Sequence, residues 1–128
     1  MGLIRLKKRL DFLRIAQSKR VAKTSTMLIQ CHYSSDEKNQ EGNLRAGFTA
    51  SRRVGNAVKR NRAKRRLKAL ADQHLTAFFS EFCKNDGKPS LDFVFIAVPA
   101  TANADFQQLY KDFIKGTQWC LTQMQQHF

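Results

Sequence analysis

Carboxylates are scarce in this chain, and the scarcity is uneven. Ten Asp and Glu face 23 Lys and Arg, for a formal net charge of +13. Between Glu41 and Asp72 there is no acidic residue at all, while ten basic ones occur. A two-metal nuclease needs clustered carboxylates, and those present are scattered. Asp36, Glu37 and Glu41 share one polar loop, where solvated turn residues are the default, and Asp11 and Asp92 fall on different elements. Cysteine is also sparse. Cys31, Cys83 and Cys120 are odd in number and far apart, with no Cys-x-x-Cys spacing, so they are expected as reduced thiols of a cytoplasmic protein. His32, His74 and His127 have no ligand spacing with those cysteines, which argues against zinc. No Ser-His-Asp or Cys-His arrangement is suggested by position. Catalytic and metal-ligating residues are therefore expected to be none.

Long apolar runs are missing too. The longest, Phe93 to Val98, is far too short to span a bilayer. The N-terminus has Lys and Arg but no apolar stretch behind them, so no secretory signal is expected. Met1-Gly2 raises N-myristoylation, but Leu6 stands where that motif wants Ser or Thr.

What is present is a basic run. Arg52 to Lys68 (RRVGNAVKRNRAKRRLK) holds nine Lys or Arg in seventeen residues. Like charges three and four apart on a helix repel one another, so something outside the chain must supply negative charge, and a polyphosphate backbone does so. A solvated basic face without a partner would normally mix signs. A membrane-surface helix fits poorly, because the apolar side of this helix continues into a Phe-rich stripe suited to a core.

The remaining pattern places this run in a fold. Leu10, Phe12, Leu13 and Ile15 suit a short helix over residues 10 to 17. A basic connector, Ser18 to Lys23, follows, with room for an extra short strand at Val21 to Lys23. Thr24 to Tyr33 reads as a strand, Ser34 to Asn43 as a hairpin connection, and Leu44 to Ser51 alternates as a second strand. Asn56 is a good N-cap for a long helix to about Phe82. Its core stripe would be Ala63, Leu67, Leu70, Ala71, Leu75, Phe78 and Phe82. Asn85 to Pro89 breaks the chain, and Leu91 to Val98, apolar on both faces, reads as a central strand ended by Pro99. Asn103 can cap a last helix to about Gln126, with Phe106, Leu109, Tyr110, Phe113, Trp119, Cys120 and Met124 buried and Gly116 weakening its middle. His74 falls beside the long helix's stripe and reads as a core or boundary residue. The order α-β-β-α-β-α implies a single α+β domain over residues 1–128, a small mixed sheet with helices against one face. At 100° per residue, Arg62, Arg65 and Arg66 point to solvent, Lys59 and Lys68 flank them, and Arg60 and Lys64 fall nearer the apolar stripe, their stems free to snorkel. Arg is planar and bidentate toward phosphate.

These residues carry a resemblance. VGNAVKRNRAKRRLK resembles the RNR signature of the bacterial ribonuclease P protein family. Leu6 to Arg9 with Asp11-Phe12 resembles that family's opening helix, Gly47 to Arg53 the strand leading into its motif, and Asp92 to Ala97 its last strand. The likeness spans nearly the whole chain in the right order. It implies the protein subunit of a ribonucleoprotein that removes the 5′ leader of precursor tRNA, in which the RNA binds Mg²⁺ and performs the hydrolysis. It also implies a left-handed βαβ crossover, against the usual rule. Carried over by position, Arg52, Arg53, Asn56, Lys59, Arg60, Asn61, Arg62, Lys64, Arg65, Arg66 and Lys68 become contacts to the RNA subunit. Phe12, Gln30, His32, Arg45, Gly47, Thr49 and Ser51 become the leader cleft between the first helix and the sheet. Ala16 and Gln30 stand where the family often has aromatics, so base stacking there is expected to be weaker. No membrane, organic cofactor or dedicated protein partner is implied. The rivals are a ribosomal or RNA-packaging protein, which would share the basic surface, and a protein-only nuclease, which would cleave without added RNA.

Overall fold

A computed structural model describes residues 3–34, 43–82 and 90–125. Five strands form one mixed sheet: β1 (Ile4–Arg5), β2 (Val21–Lys23), β3 (Met27–Tyr33), β4 (Leu44–Ala50) and β5 (Leu91–Ala97), in the order β1-β4-β5-β3-β2. Four helices accompany it: α1 (Arg9–Gln17), α2 (Ala57–Leu70), α3 (Thr76–Phe82) and α4 (Phe106–Gln125). Short 3₁₀ turns at Arg52–Val54 and Pro99–Ala102 lead into α2 and α4.

β5 takes the centre because it is the strand with no polar face: every residue from Leu91 to Phe95, and Ala97, is buried. It runs parallel to β4 and antiparallel to β3. The expected hairpin between Ser34 and Asn43 therefore does not form, because β5 lies between the two strands meant to pair. Most of the connecting stretch, including Asp36, Glu37 and Glu41, lies outside the described residues, as do Cys83, His127 and the break at Asn85 to Pro89. The hairpin instead joins β2 to β3. Thr24 closes it: its N–H and Oγ1 both donate to the Met27 carbonyl, at 3.0 and 2.8 Å.

The sheet is covered on both faces, not one. Phe93, Phe95, Ile29, Cys31 and Ala46 form the main core with Leu67 and Leu70 of α2 and Leu109, Phe113 and Cys120 of α4. Val94 and Ile96 point the other way, where Leu6, Phe12 and Ile15 meet them beneath α1. The apolar side of α1 is Ile15 with Phe12, while Leu10 and Leu13 are exposed. The second face could not be read from periodicity, since an all-apolar central strand serves either side equally.

The long basic helix is interrupted at Ala71–Leu75 by a π turn. The extra residue it inserts advances the apolar stripe by one, so Phe79 is fully buried while Phe78 and Phe82 are half-buried. α4 begins at Phe106, two residues later than a cap at Asn103 would start it, because Pro99–Ala102 winds as a 3₁₀ turn first. Phe106, Tyr110 and Trp119 are exposed, in contrast to the buried positions expected of them. Gly116 has a packing reason: a Cβ there would sit 2.7 Å from Ile29 Cδ1, so glycine lets α4 lie close on β3. Cys31 and Cys120 are free, buried core residues; a hydrogen bond with Cys31, then burial, pushes the Cys120 thiol well up.

Candidate nucleic-acid interface

The basic helix is entered through a tight turn. Gly55 has φ +137°, a conformation L side chains rarely adopt, and a Cβ would also meet Lys59 Cδ at 2.8 Å. Asn56 then caps α2, its Oδ1 accepting from the Lys59 N–H at 3.0 Å. The side chain is therefore engaged in holding the helix start.

Along α2, Ala63, Leu67 and Leu70 are buried. Arg52, Arg53, Lys59, Asn61, Arg62, Arg65 and Lys68 are exposed, and Arg60 and Lys64 are intermediate. Among the described residues no carboxylate lies within ion-pair distance of any basic residue from Arg52 to Lys68. Arg60 Nη1 donates to the Gly55 carbonyl at 3.0 Å and stiffens the entry turn. Arg66 departs from the expected solvent-facing position. Its Nη1 and Nη2 donate to the carbonyls of Thr101 and Ala104, and its guanidinium lies 6.0 Å from the Phe106 ring centroid. Burial, then Arg62, lowers its pKa, with Asp105 opposing, although a guanidinium stays charged regardless. The helical wheel puts residue 66 on the flank of the stripe. Only the tertiary placement of the Pro99–Ala102 turn supplies those carbonyls.

On the opposite face a groove of about 520 Å³ runs between α1 and the sheet, lined by Arg9, Phe12, Leu13, Ala16, Gln30, Phe48, Thr49, Val94 and Ile96. Three of the residues assigned to a leader cleft, Phe12, Gln30 and Thr49, line it. Gly47 lies under Phe12: a Cβ would stand 2.4 Å from Phe12 Cζ, so glycine is what seats the ring on the sheet. His32 shares this face, its Nδ1 3.3 Å from Arg20 Nη1. Burial, then Arg14 and Arg20, lowers its pKa, with Asp92 opposing. Ser51 is exposed at the end of β4 and is not part of the lining.

Arg45 differs from its expected role. It is 9% exposed, and its Nε and Nη2 donate to the two oxygens of fully buried Asp92 at 2.8 and 2.7 Å. Arg14 of α1 donates to the same carboxylate and to the Tyr33 carbonyl, and Asp11 stands 3.6 Å from Arg14 and 3.8 Å from Arg45. Two arginines thus balance two carboxylates and bolt α1 to the sheet. Asp11 and Asp92 do converge, but on the same two guanidiniums, which already engage both oxygens of Asp92. Among the described residues no group of three or more His, Cys, Asp or Glu could hold a metal. Likewise, no described helix is long and apolar enough to cross a membrane. Arg9, Leu13, Val94 and Ile96 are groove residues that sequence reasoning missed. The available signal was that Leu10 and Leu13 could not both join Ile15 on one side of a nine-residue helix.

The two surfaces meet where β4 ends, since only Ala50 and Ser51 separate Thr49 in the groove from Arg52 at the entry of the basic segment. The Ribonuclease P family model matches residues 3–120. The chain belongs to the ribonuclease P protein family. Ribonuclease P protein components of Ruegeria pomeroyi and Paramagnetospirillum magneticum are 41% and 38% identical to it. The alignments cover 87% and 88% of this chain and 81% and 78% of theirs. The fold is that of the ribonuclease P proteins of Staphylococcus aureus (TM-score 0.67, 21% identity, 89% of this chain and 92% of that one) and Thermotoga maritima (0.65, 19%, 87% and 92%). The chain is thus a component of an endoribonuclease, and its place in tRNA 5′ processing follows from the family.

Proposed function

We propose that this ribonuclease P protein is a single, non-catalytic RNA-binding domain that works from two faces in the cytoplasm. The face of α2 receives phosphates of the catalytic RNA subunit, and the groove beneath α1 receives the single-stranded 5′ leader of precursor tRNA. Hydrolysis is left to the RNA, whose Mg²⁺ would supply the activation of water; Asp11 and Asp92 are committed to Arg14 and Arg45. No organic cofactor and no dedicated protein partner enter the reading.

The observation that carries it is the run of exposed cations, Arg52, Arg53, Lys59, Arg62, Arg65 and Lys68, with no carboxylate among the described residues in ion-pair reach. Such a face has free charge to give a phosphate backbone, and the α2 N-terminus adds unsatisfied N–H donors. Arg60, Asn61 and Lys64 extend it along the same helix, and Arg66 contributes by holding the Pro99–Ala102 turn against it. In the groove, Phe12, Gln30 and Thr49 contact the leader directly. His32 lies at its end, Arg45 and Gly47 fix its floor, and Ser51 lies on the way to the basic face.

The test pairs the chain with a ribonuclease P RNA at low Mg²⁺ and follows 5′-leader removal. Stimulation by the protein, absent with either component alone, supports the reading. Cleavage by the protein without RNA, or no stimulation, overturns it.

A further inference from the structure

A second depression lies away from both surfaces, where α4 crosses the free edge of the sheet. It holds about 300 Å³ and is lined by Val21, Ala22, Lys23, Thr24, Lys115, Gly116 and Trp119. Gly116 makes it: with no side chain at that position, α4 comes down on Ile29 and Ala22 and leaves a hollow beside the next turn. Trp119 stands over that hollow and remains 42% exposed, although Cys120 beside it is fully buried. Lys23 and Lys115, both exposed, border it, and no carboxylate is among its lining residues. An exposed indole sharing a hollow with two lysines is a composition suited to a nucleotide of single-stranded RNA: a base can stack on the ring while flanking phosphates meet the cations.

The position selects which RNA. Val21 and Lys23 of the edge strand are register partners of Gln30 and Leu28, and so share the sheet face that carries the leader groove. Ala22, between them, faces the α4 side. The hollow lined by Val21, Lys23 and Trp119 therefore lies across β2 from the Gln30 end of the groove. We propose that Trp119, Lys23 and Lys115 form a distal subsite for the leader, taking a base upstream of the nucleotides held in the groove. This inference rests on the leader-groove reading above and extends it.

The chain has a single tryptophan, so its emission reports this subsite directly. The experiment uses the reconstituted holoenzyme with precursor tRNAs whose leaders run from about four to about sixteen nucleotides. Long leaders should quench Trp119 emission, and a leaderless tRNA should not. Trp119→Ala should weaken binding of long leaders roughly 10-fold, the scale of one lost base–aromatic stack. Short leaders should bind Trp119→Ala and wild type equally, and Trp119→Phe should restore most of the loss. Unchanged emission and equal affinity at every length, while Phe12→Ala still weakens leader binding, would overturn the subsite and leave the groove standing. Indifference of binding to leader length and to Phe12→Ala would overturn the groove and the subsite together. Emission that shifts with protein concentration in the absence of RNA would make the patch a contact between copies of this chain, and would equally overturn it.

Discussion

Asp92 lies fully buried on the central strand, one oxygen facing Arg45 Nε at 2.8 Å and the other shared by the Nη2 groups of Arg45 and Arg14. Removing that charge strands two guanidiniums in a low-dielectric site, which costs about 3–5 kcal/mol for a buried pair. Asp92→Asn should lower the urea midpoint accordingly and loosen α1, whose attachment runs through Arg14. Gly47 behaves differently. Gly47→Ala places a methyl 2.4 Å from the far end of the Phe12 ring, which can swing toward solvent. The expected result is a loss of about 1–3 kcal/mol, typical of overpacking, together with weaker leader binding, read by unfolding and by affinity on the same variant. His32 sets a pH dependence. Burial, then Arg14 and Arg20, depresses its pKa below the ordinary 6.5, so the unfolded chain takes up its proton first as pH falls. The stability it contributes is complete above about pH 6.5 and is lost as pH drops toward the folded-state value. Unfolding midpoints measured down that window should fall more for the wild type than for His32→Gln. A parallel fall in both would assign the pH dependence elsewhere.

At the scale of elements, α2 carries an exposed cation and a structural one at two adjacent positions. Arg65 is exposed, whereas Arg66 grips the Thr101 and Ala104 carbonyls. Arg65→Gln should weaken RNA binding and leave thermal stability unchanged. Arg66→Gln should cost about 1.5–3 kcal/mol, the range for hydrogen bonds from a charged donor, and calorimetry on the two variants checks the contrast. The sequence does not announce this distinction: both side chains are expected to face solvent, and residue 66, on the flank of the stripe, is claimed only by carbonyls of a turn distant in sequence. What could be read there was what local chemistry dictates: the Asn56 cap, the stripe through Ala63, Leu67 and Leu70, the β5 segment without a polar face, and the basic run itself. What was lost depended on partners distant in sequence. The π turn at Ala71–Leu75 is tied to β1 by Arg5, which donates to both oxygens of Asp72 at 2.8 Å, and nothing near residue 72 announces it. Likewise Arg45 reads as a free cation on an alternating strand until Asp92 is placed opposite it in register.

For the whole molecule, the sheet acts as a partition. α2 and α4 close one face over the main core, and α1 half-covers the other, so the basic helix and the groove lie on opposite sides of the sheet. Among the described residues, the ion pairs around Asp92, Asp11 and Asp72 do not reach the α2 face, whose cations add to a net charge of +13. The measurement that bears most directly on this account is the salt dependence of binding to a ribonuclease P RNA, for the wild type and for a variant with Lys59, Arg62, Arg65 and Lys68 changed to Gln. The account predicts that wild-type affinity falls by about three to five decades between about 50 and 200 mM salt if about six to ten phosphates are engaged. The logarithmic slope should drop by about one for each cation removed. A flat wild-type response, or a variant with the same slope, would contradict it.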